Sequence, residues 1–247
     1  MGEFINTVDV IGDDALTDSI IVRTVTEFCS DAITQIGYYA FSKCNQLSRV
    51  DCPNLTEIKG YAFSGCSMQE IHAPKLISTE SYVFNSCKAL TSVDFPEATY
   101  LGDNCFSGCS VLVSVNAPKL SGIRSRLFWN CSALKRVVFP VATYINNYAF
   151  DGCTSLEYAD FSAVGSIYGN AFSKTTNLTT LVLRKTDAIC TLASGQTFTN
   201  TYIYVPAALV DSYKAATNWS TYSAQFRALE DYTVDGTTTG ELDPTKI

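Results

Sequence analysis

The chain holds one histidine, His72, and its spacing from two aspartates raises the first chemical question. Asp51 precedes it by 21 residues, Asp94 follows it by 22, and Asn116 lies 22 further on. If those steps are one structural repeat, the four side chains form a row about 4.8 Å apart on neighbouring strands. A histidine between carboxylates is the beginning of general-base chemistry, and the oxygens together with Asn116 suit a hard cation. Base catalysis also needs a nucleophile, an oxyanion site and a pocket that excludes water. A shallow strand face offers none of these. The sequence also has no G-x-x-x-x-G-K-[ST], G-x-S-x-G, C-x-x-C or H-E-x-x-H. The expectation is a chain that is not an enzyme, with no catalytic residues, no metal site and no cofactor.

Ten cysteines raise the second question. Phenylalanines fall at Phe41, Phe63, Phe84, Phe106, Phe128, Phe150 and Phe172, in steps of 22, 21, 22, 22, 22 and 22. Cys44, Cys66, Cys87, Cys109, Cys131 and Cys153 each follow one of the first six by three residues. Thr175 stands in the seventh place. A position that accepts threonine cannot depend on a disulfide. Packed free thiols are therefore favoured over adjacent-rung disulfides or a metal, since cysteine behaves as a small buried hydrophobe. Cys105 and Cys52 fall in core columns, whereas Cys29 and Cys190 stand outside the series.

The same periodicity defines the elements. Each unit reads approximately I-x-x-x-A-F-x-x-C-x-x-L-x-x-V-x-a-P-x-a, where a is apolar, from about Val25 to Leu183. A unit of 22 residues cannot bury its own apolar face and becomes stable only by stacking on its neighbours. The alternation around the valine column predicts a short strand, and Ala-Phe-x-x-Cys is too short for anything but a turn or 3₁₀ return. The fold class is thus a repeat solenoid: a right-handed coil with one parallel β-sheet and helical caps. Its divisions are an N-terminal cap over 1–24, the solenoid over 25–183, a C-terminal cap with strand and helix over 184–233, and a polar tail over 234–247. A capped helix is expected at Asp13–Ile21. Pro206 should open a second helix after the Tyr202–Val205 strand, with Trp219, Tyr222 and Phe226 as a lid.

The segment Ile36-Gly-Tyr-Tyr-Ala-Phe-Ser-Lys-Cys-Asn-Gln-Leu-Ser-Arg-Val50 and its successors resemble the BspA-type branch of the leucine-rich repeats. Tyr202 to Trp219 resembles the closing unit of such proteins. The resemblance implies a non-catalytic recognition or adhesion scaffold that acts outside the cell or on its surface. Met1-Gly2-Glu3-Phe4 lacks the basic and apolar regions of a secretory signal. Signal-less chains of this kind also resemble prophage products, so the alternative is a virion component held as a homo-oligomer or by a virion partner.

With the framework fixed, specificity falls to the positions that flank the valine column on each strand. The candidate ligand-binding residues are Arg49, Asp51, Glu70, His72, Asp94, Asn116, Arg136, Tyr158 and Asp160, with a protein or a glycan as the expected partner. Thr180 and Val182 continue the same face. Tyrosines 38, 39, 61, 82, 100, 144, 148 and 168 form a second exposed set on the turns, as an interface or as a cover for the flank. A net charge of −7 disfavours nucleic acid as a partner. No apolar run approaches the roughly 20 residues needed to cross a bilayer, so membrane insertion is not expected.

Overall fold

The computed structural model describes residues 10–12, 25–231, 233–234 and 237–238. The helix expected at 13–21 and most of the polar tail lie outside the described residues. The repeat builds a parallel-strand solenoid. Strands Glu27–Cys29, Arg49–Asp51, Glu70–His72, Ser92–Asp94 and Ser114–Asn116 form one five-stranded sheet. Arg136–Val138, Tyr158–Phe161, Thr180–Leu183, Tyr202–Val205 and Phe226–Ala228 form another. Like residues face each other: Val50 pairs with Phe28 and with Ile71, and Val115 with Val93.

A second, narrower ladder joins the expected sheet. Val10–Ile11, Gln35–Ile36, Glu57–Ile58, Ser78–Thr79 and Tyr100–Leu101 pair in order, as do Tyr144–Ile145, Ser166–Ile167 and Thr191–Leu192. Its signal in the sequence is only one buried Ile or Leu per unit, too little to establish a strand by alternation. Both ladders are interrupted near the middle of the solenoid. The narrow one keeps only an isolated bridge from Ile123 to Ile145. There the Tyr144 ring lies against Gly122, so closely that a methyl on Gly122 would stand 2.3 Å from its Cζ. A side chain at Gly122 would have to push that ring aside.

The Ala-Phe-x-x-Cys segments are runs of hydrogen-bonded turns. Ala40, Ser42 and Cys44 N–H close turns onto Gly37, Tyr39 and Phe41, while Tyr39, Phe41 and Lys43 N–H donate to Gly60, Ala62 and Ser64 of the next coil. This alternation needs two left-handed residues per coil, such as Tyr39 and Lys43, Tyr61 and Gly65, or Asn104 and Gly108. Left-handed backbone costs a non-glycine residue about 1–2 kcal/mol, which the inter-coil hydrogen bonds offset.

The core is the expected set of columns. Consecutive rings from Phe41 to Phe172 stack with centroids 5.1–5.7 Å apart, all of them fully buried. All ten cysteines are free. The periodic thiols have a role beyond filling space. Cys66 Sγ donates to Phe41 O at 2.9 Å, and Cys87, Cys109, Cys131 and Cys153 each donate to the corresponding carbonyl, of Phe63, Phe84, Phe106 and Phe128, at 3.1 Å. Thr175, with a shorter reach, turns instead to its own Phe172 O at 2.7 Å.

Burial pushes every thiol but Cys44 up, with Cys52, Cys87, Cys105 and Cys190 at about 12, while the hydrogen bond with Cys66 lowers Cys44. Cys29 alone is exposed. An aromatic disulfide reagent is therefore expected to release one thiol from the native chain and ten after denaturation. The unfolded thiols ionise near 9 while the folded ones still hold their protons. Stability is then full below pH 9 and falls as the pH rises toward 12. A native chain that titrates several thiols rapidly at neutral pH would contradict the buried ladder.

The solenoid runs one coil beyond the regular spacing. After Leu183 the step lengthens, yet Thr191–Leu192 adds a rung and Phe198 continues the stack 5.6 Å from Phe172. Pro206 precedes a 3₁₀ turn at Ala207–Leu209 and a short α-helix at Val210–Ala215. The lid then replaces the missing next coil with side chains. Tyr213 Oη accepts from Cys190 N at 2.8 Å, Trp219 Nε1 donates to Cys190 O at 2.6 Å, and Asn218 Nδ2 donates to Leu192 O at 2.7 Å. Tyr222 Oη and Gln225 Nε2 donate to Gln196 O and Phe198 O. Backbone groups that a further coil would have satisfied are paired one by one.

Candidate functional site

Outward-pointing residues of the long-strand ladder divide into two regions. On the first five rungs, from Glu27–Cys29 to Ser114–Asn116, they are exposed or half-buried around buried or half-buried valine-column residues. Arg49, Asp51, Glu70, His72, Asp94 and Asn116 all lie here. The register sets Asp51 beside His72 and His72 beside Asp94, so the row inferred from spacing exists. Its members engage their neighbours. Arg49 reaches Asp51 at 2.9 Å and Glu70 at 3.1 Å, and Asn116 Nδ2 donates to Asp94 Oδ1 at 2.7 Å. Among the described residues no group of three or more His, Cys, Asp or Glu is placed to hold a metal ion. The row is a polar surface.

The later rungs correct the expectation for Tyr158, Asp160 and Val182. Tyr158 and Asp160 are buried, at 6% and 3% exposure, and Val182 is fully buried, although all three were expected on an open face. The cause is cover from a distant part of the chain together with mutual pairing. Tyr158 and Val182 pack with Val138, Tyr204 and Leu229, an apolar group on the outer side of the sheet. Tyr158 Oη donates to Asp160 Oδ2 at 2.9 Å, and Arg184 grips the same carboxylate through Nε and Nη2 at 2.9 and 2.7 Å. Arg136 lies 4.0 Å over the Tyr158 ring. Burial and the adjacent Asp160 carboxylate raise the Tyr158 phenol. Arg184 stands at the proline position of its unit, two repeats after Pro140, and Leu229 lies beyond the last unit, so no repeated residue type pointed to them.

The tyrosine set splits as well. Tyr39, Tyr61 and Tyr82 stack face to face with centroids 4.9 and 4.7 Å apart. Ring faces are spent on each other, so this strip presents edges and hydroxyls. Tyr38 Oη donates to Glu80 Oε1 at 2.9 Å. Arg124 lies 5.2 Å over Tyr100 and donates to Tyr144 Oη at 3.3 Å, and Arg126 lies 4.9 Å over Tyr148. These arginines occupy variable positions and went unnoticed in the sequence. They bind the turns of adjacent coils together, which favours cover over interface for Tyr100, Tyr144 and Tyr148.

This geometry, a stacked solenoid with a solvent-facing strand ladder, defines the class: a repeat scaffold. The BspA-type leucine-rich repeat region model matches residues 9–135 and 78–203 in six copies, and the chain belongs to that family. No curated protein matches the chain. Among solved structures it is similar to a leucine-rich cell surface protein of Faecalibacterium prausnitzii, at 21% identity and a TM-score of 0.58, over 84% of this chain and 63% of that one. It is also similar to the pneumococcal vaccine antigen PcpA, at 12% identity and a TM-score of 0.53, over 90% of this chain and 69% of that one. These likenesses are of fold. Among the described residues no helix is long and apolar enough to cross a membrane.

Proposed function

We propose that this protein is a non-enzymatic recognition scaffold that works outside the cell or on its surface, binding a protein or glycan through the first five rungs of the long-strand ladder. The observation that carries the reading is the contrast along the long-strand ladder, between its first sheet and its second. The first five rungs leave their outward positions open to solvent, whereas Tyr158, Asp160 and Val182 further along are buried by the chain itself. A rigid scaffold with fixed columns and freely varying outward residues is how solenoids make extended contact surfaces. Glu70 and His72 sit on its middle rung and Asp94 on the next, held in register without help from a ligand.

The test is an array of glycans and host proteins probed with the isolated chain, followed by the same measurement on His72→Ala and Asp94→Ala. Both side chains are exposed and lie outside the core, so melting should be unchanged while affinity for the captured partner drops about tenfold or more, as for a contact at the centre of an interface. Full affinity in both variants would move the contact to the turns or the caps.

A further inference from the structure

The residue after each ladder phenylalanine lies on the turns: Ser42, Ser64, Asn85, Ser107, Trp129, Asp151 and Ser173. Five of the seven are small and uncharged, which is all that the stacking of coils requires there. Trp129 and Asp151 are the exceptions. They stand on consecutive coils, and Trp129 Nε1 donates to Asp151 Oδ2 at 2.9 Å.

Asp151 is 4% exposed, and its Oδ1 is buried without a hydrogen-bond partner. Lys174, on the following coil, brings its ammonium to 3.5 Å from that oxygen. That is longer than the about 2.7–2.9 Å of a charge-assisted hydrogen bond. The Lys174 side chain is itself 70% exposed, so it is free to swing outward and uncover Oδ1. A buried carboxylate oxygen without a donor costs the folded chain free energy. A serine, as at Ser107 and Ser173, would avoid that cost.

The space between Oδ1 and the ammonium suits a group that donates to Asp151 and accepts from Lys174 at once. A hydroxyl does both. A second cation would meet the Lys174 charge, and an anion would meet the carboxylate. Trp129 supplies the other half of the chemistry. Its N–H lies in the ring plane and points at Asp151, which sets the indole beside the carboxylate, and the residue is half-buried, with part of its surface open to solvent. An apolar ring next to a few convergent polar groups fits a ligand that has both a C–H face and a rim of hydroxyls.

We propose that Trp129, Asp151 and Lys174 form a binding site for a neutral hexopyranose unit, separate from the strand ladder and independent of its role. The sugar ring lies against the indole, and one hydroxyl sits between Asp151 Oδ1 and Lys174 Nζ. Trp129 fixes the other carboxylate oxygen, so Asp151 is oriented before the ligand arrives.

The experiment is saturation-transfer NMR on the full chain with the methyl glycosides of glucose, galactose, mannose and N-acetylglucosamine. A ligand of this size on an open site is expected to have a Kd of about 1 mM, a range that the method reads from the sugar's own protons. At least one glycoside should bind the wild-type chain. Its affinity should fall at least tenfold in Trp129→Ala and in Asp151→Asn, the second of which keeps the shape and removes the charge. His72→Ala, on the ladder, should bind the glycoside as wild type does, so failure of this site and failure of the ladder reading are told apart. Melting curves show that each variant is folded, and Asp151→Asn decides alone if Trp129→Ala is not. The proposal is overturned if none of the glycosides binds, if Asp151→Asn binds as tightly as wild type, or if His72→Ala loses the binding.

Discussion

Replacement of Trp219 by alanine is expected to destabilise the chain by about 3–5 kcal/mol, the range for losing a buried large aromatic, and to open the C-terminal end of the core. Trp219 is fully buried, stacks 6.1 Å from Phe198 and meets Tyr213 and Phe226 edge-on at 5.6 and 5.7 Å. It does two things at once. The ring covers the last phenylalanine of the ladder, and the indole N–H satisfies Cys190 O. Trp219→Phe separates them, because it keeps most of the cover and orphans only the carbonyl, at about 1–3 kcal/mol. Denaturant unfolding of both variants, with a hydrophobic dye to report an exposed core end, checks the ordering. Equal, small losses for the two would mean that the lid is not what closes the solenoid.

A comparable loss, with a different signature, is expected from Phe106→Ala. Phe106 is fully buried between Phe84 at 5.3 Å and Phe128 at 5.7 Å. Truncation leaves a ring-sized cavity and ends two stacking contacts, about 3–5 kcal/mol for the cavity and about 0.5–1.5 kcal/mol for each pair of rings. Each coil touches only its neighbours, so a defect at mid-length weakens the coupling between the halves. Both ladders already have an interruption close by, between Leu101 and Ile123 and between Asn116 and Arg136. Unfolding should then change from one transition to two, resolved by hydrogen exchange at Val50 and at Leu181. A single transition with a uniform shift would show that the halves are held together by something other than the ring stack.

The stacked columns were legible in the sequence because repetition is itself a structural statement. A phenylalanine every 21 or 22 residues can be buried only if the coils lie over one another, and a thiol that yields to Thr175 must be packing and not bridging. The same logic placed Asp51, His72 and Asp94 in one row, since residues at equal phase must meet on adjacent strands. What the period could not convey was anything that happens once. Part of the cover over Tyr158 and Val182 comes from Leu229, 71 and 47 residues away, and Asp160 is held by Arg184, which stands where earlier units carry proline. The lid follows the same rule: Trp219, Tyr213 and Asn218 supply from side chains the hydrogen bonds that backbone supplies elsewhere, so their positions obey the end of the stack and not its period. Sequence by itself determined the coil, its columns and the order of its rungs, because each repeat constrains the next. Only the tertiary structure decided which stretch of the strand face stays open, because that depends on where the unrepeated end of the chain comes to rest.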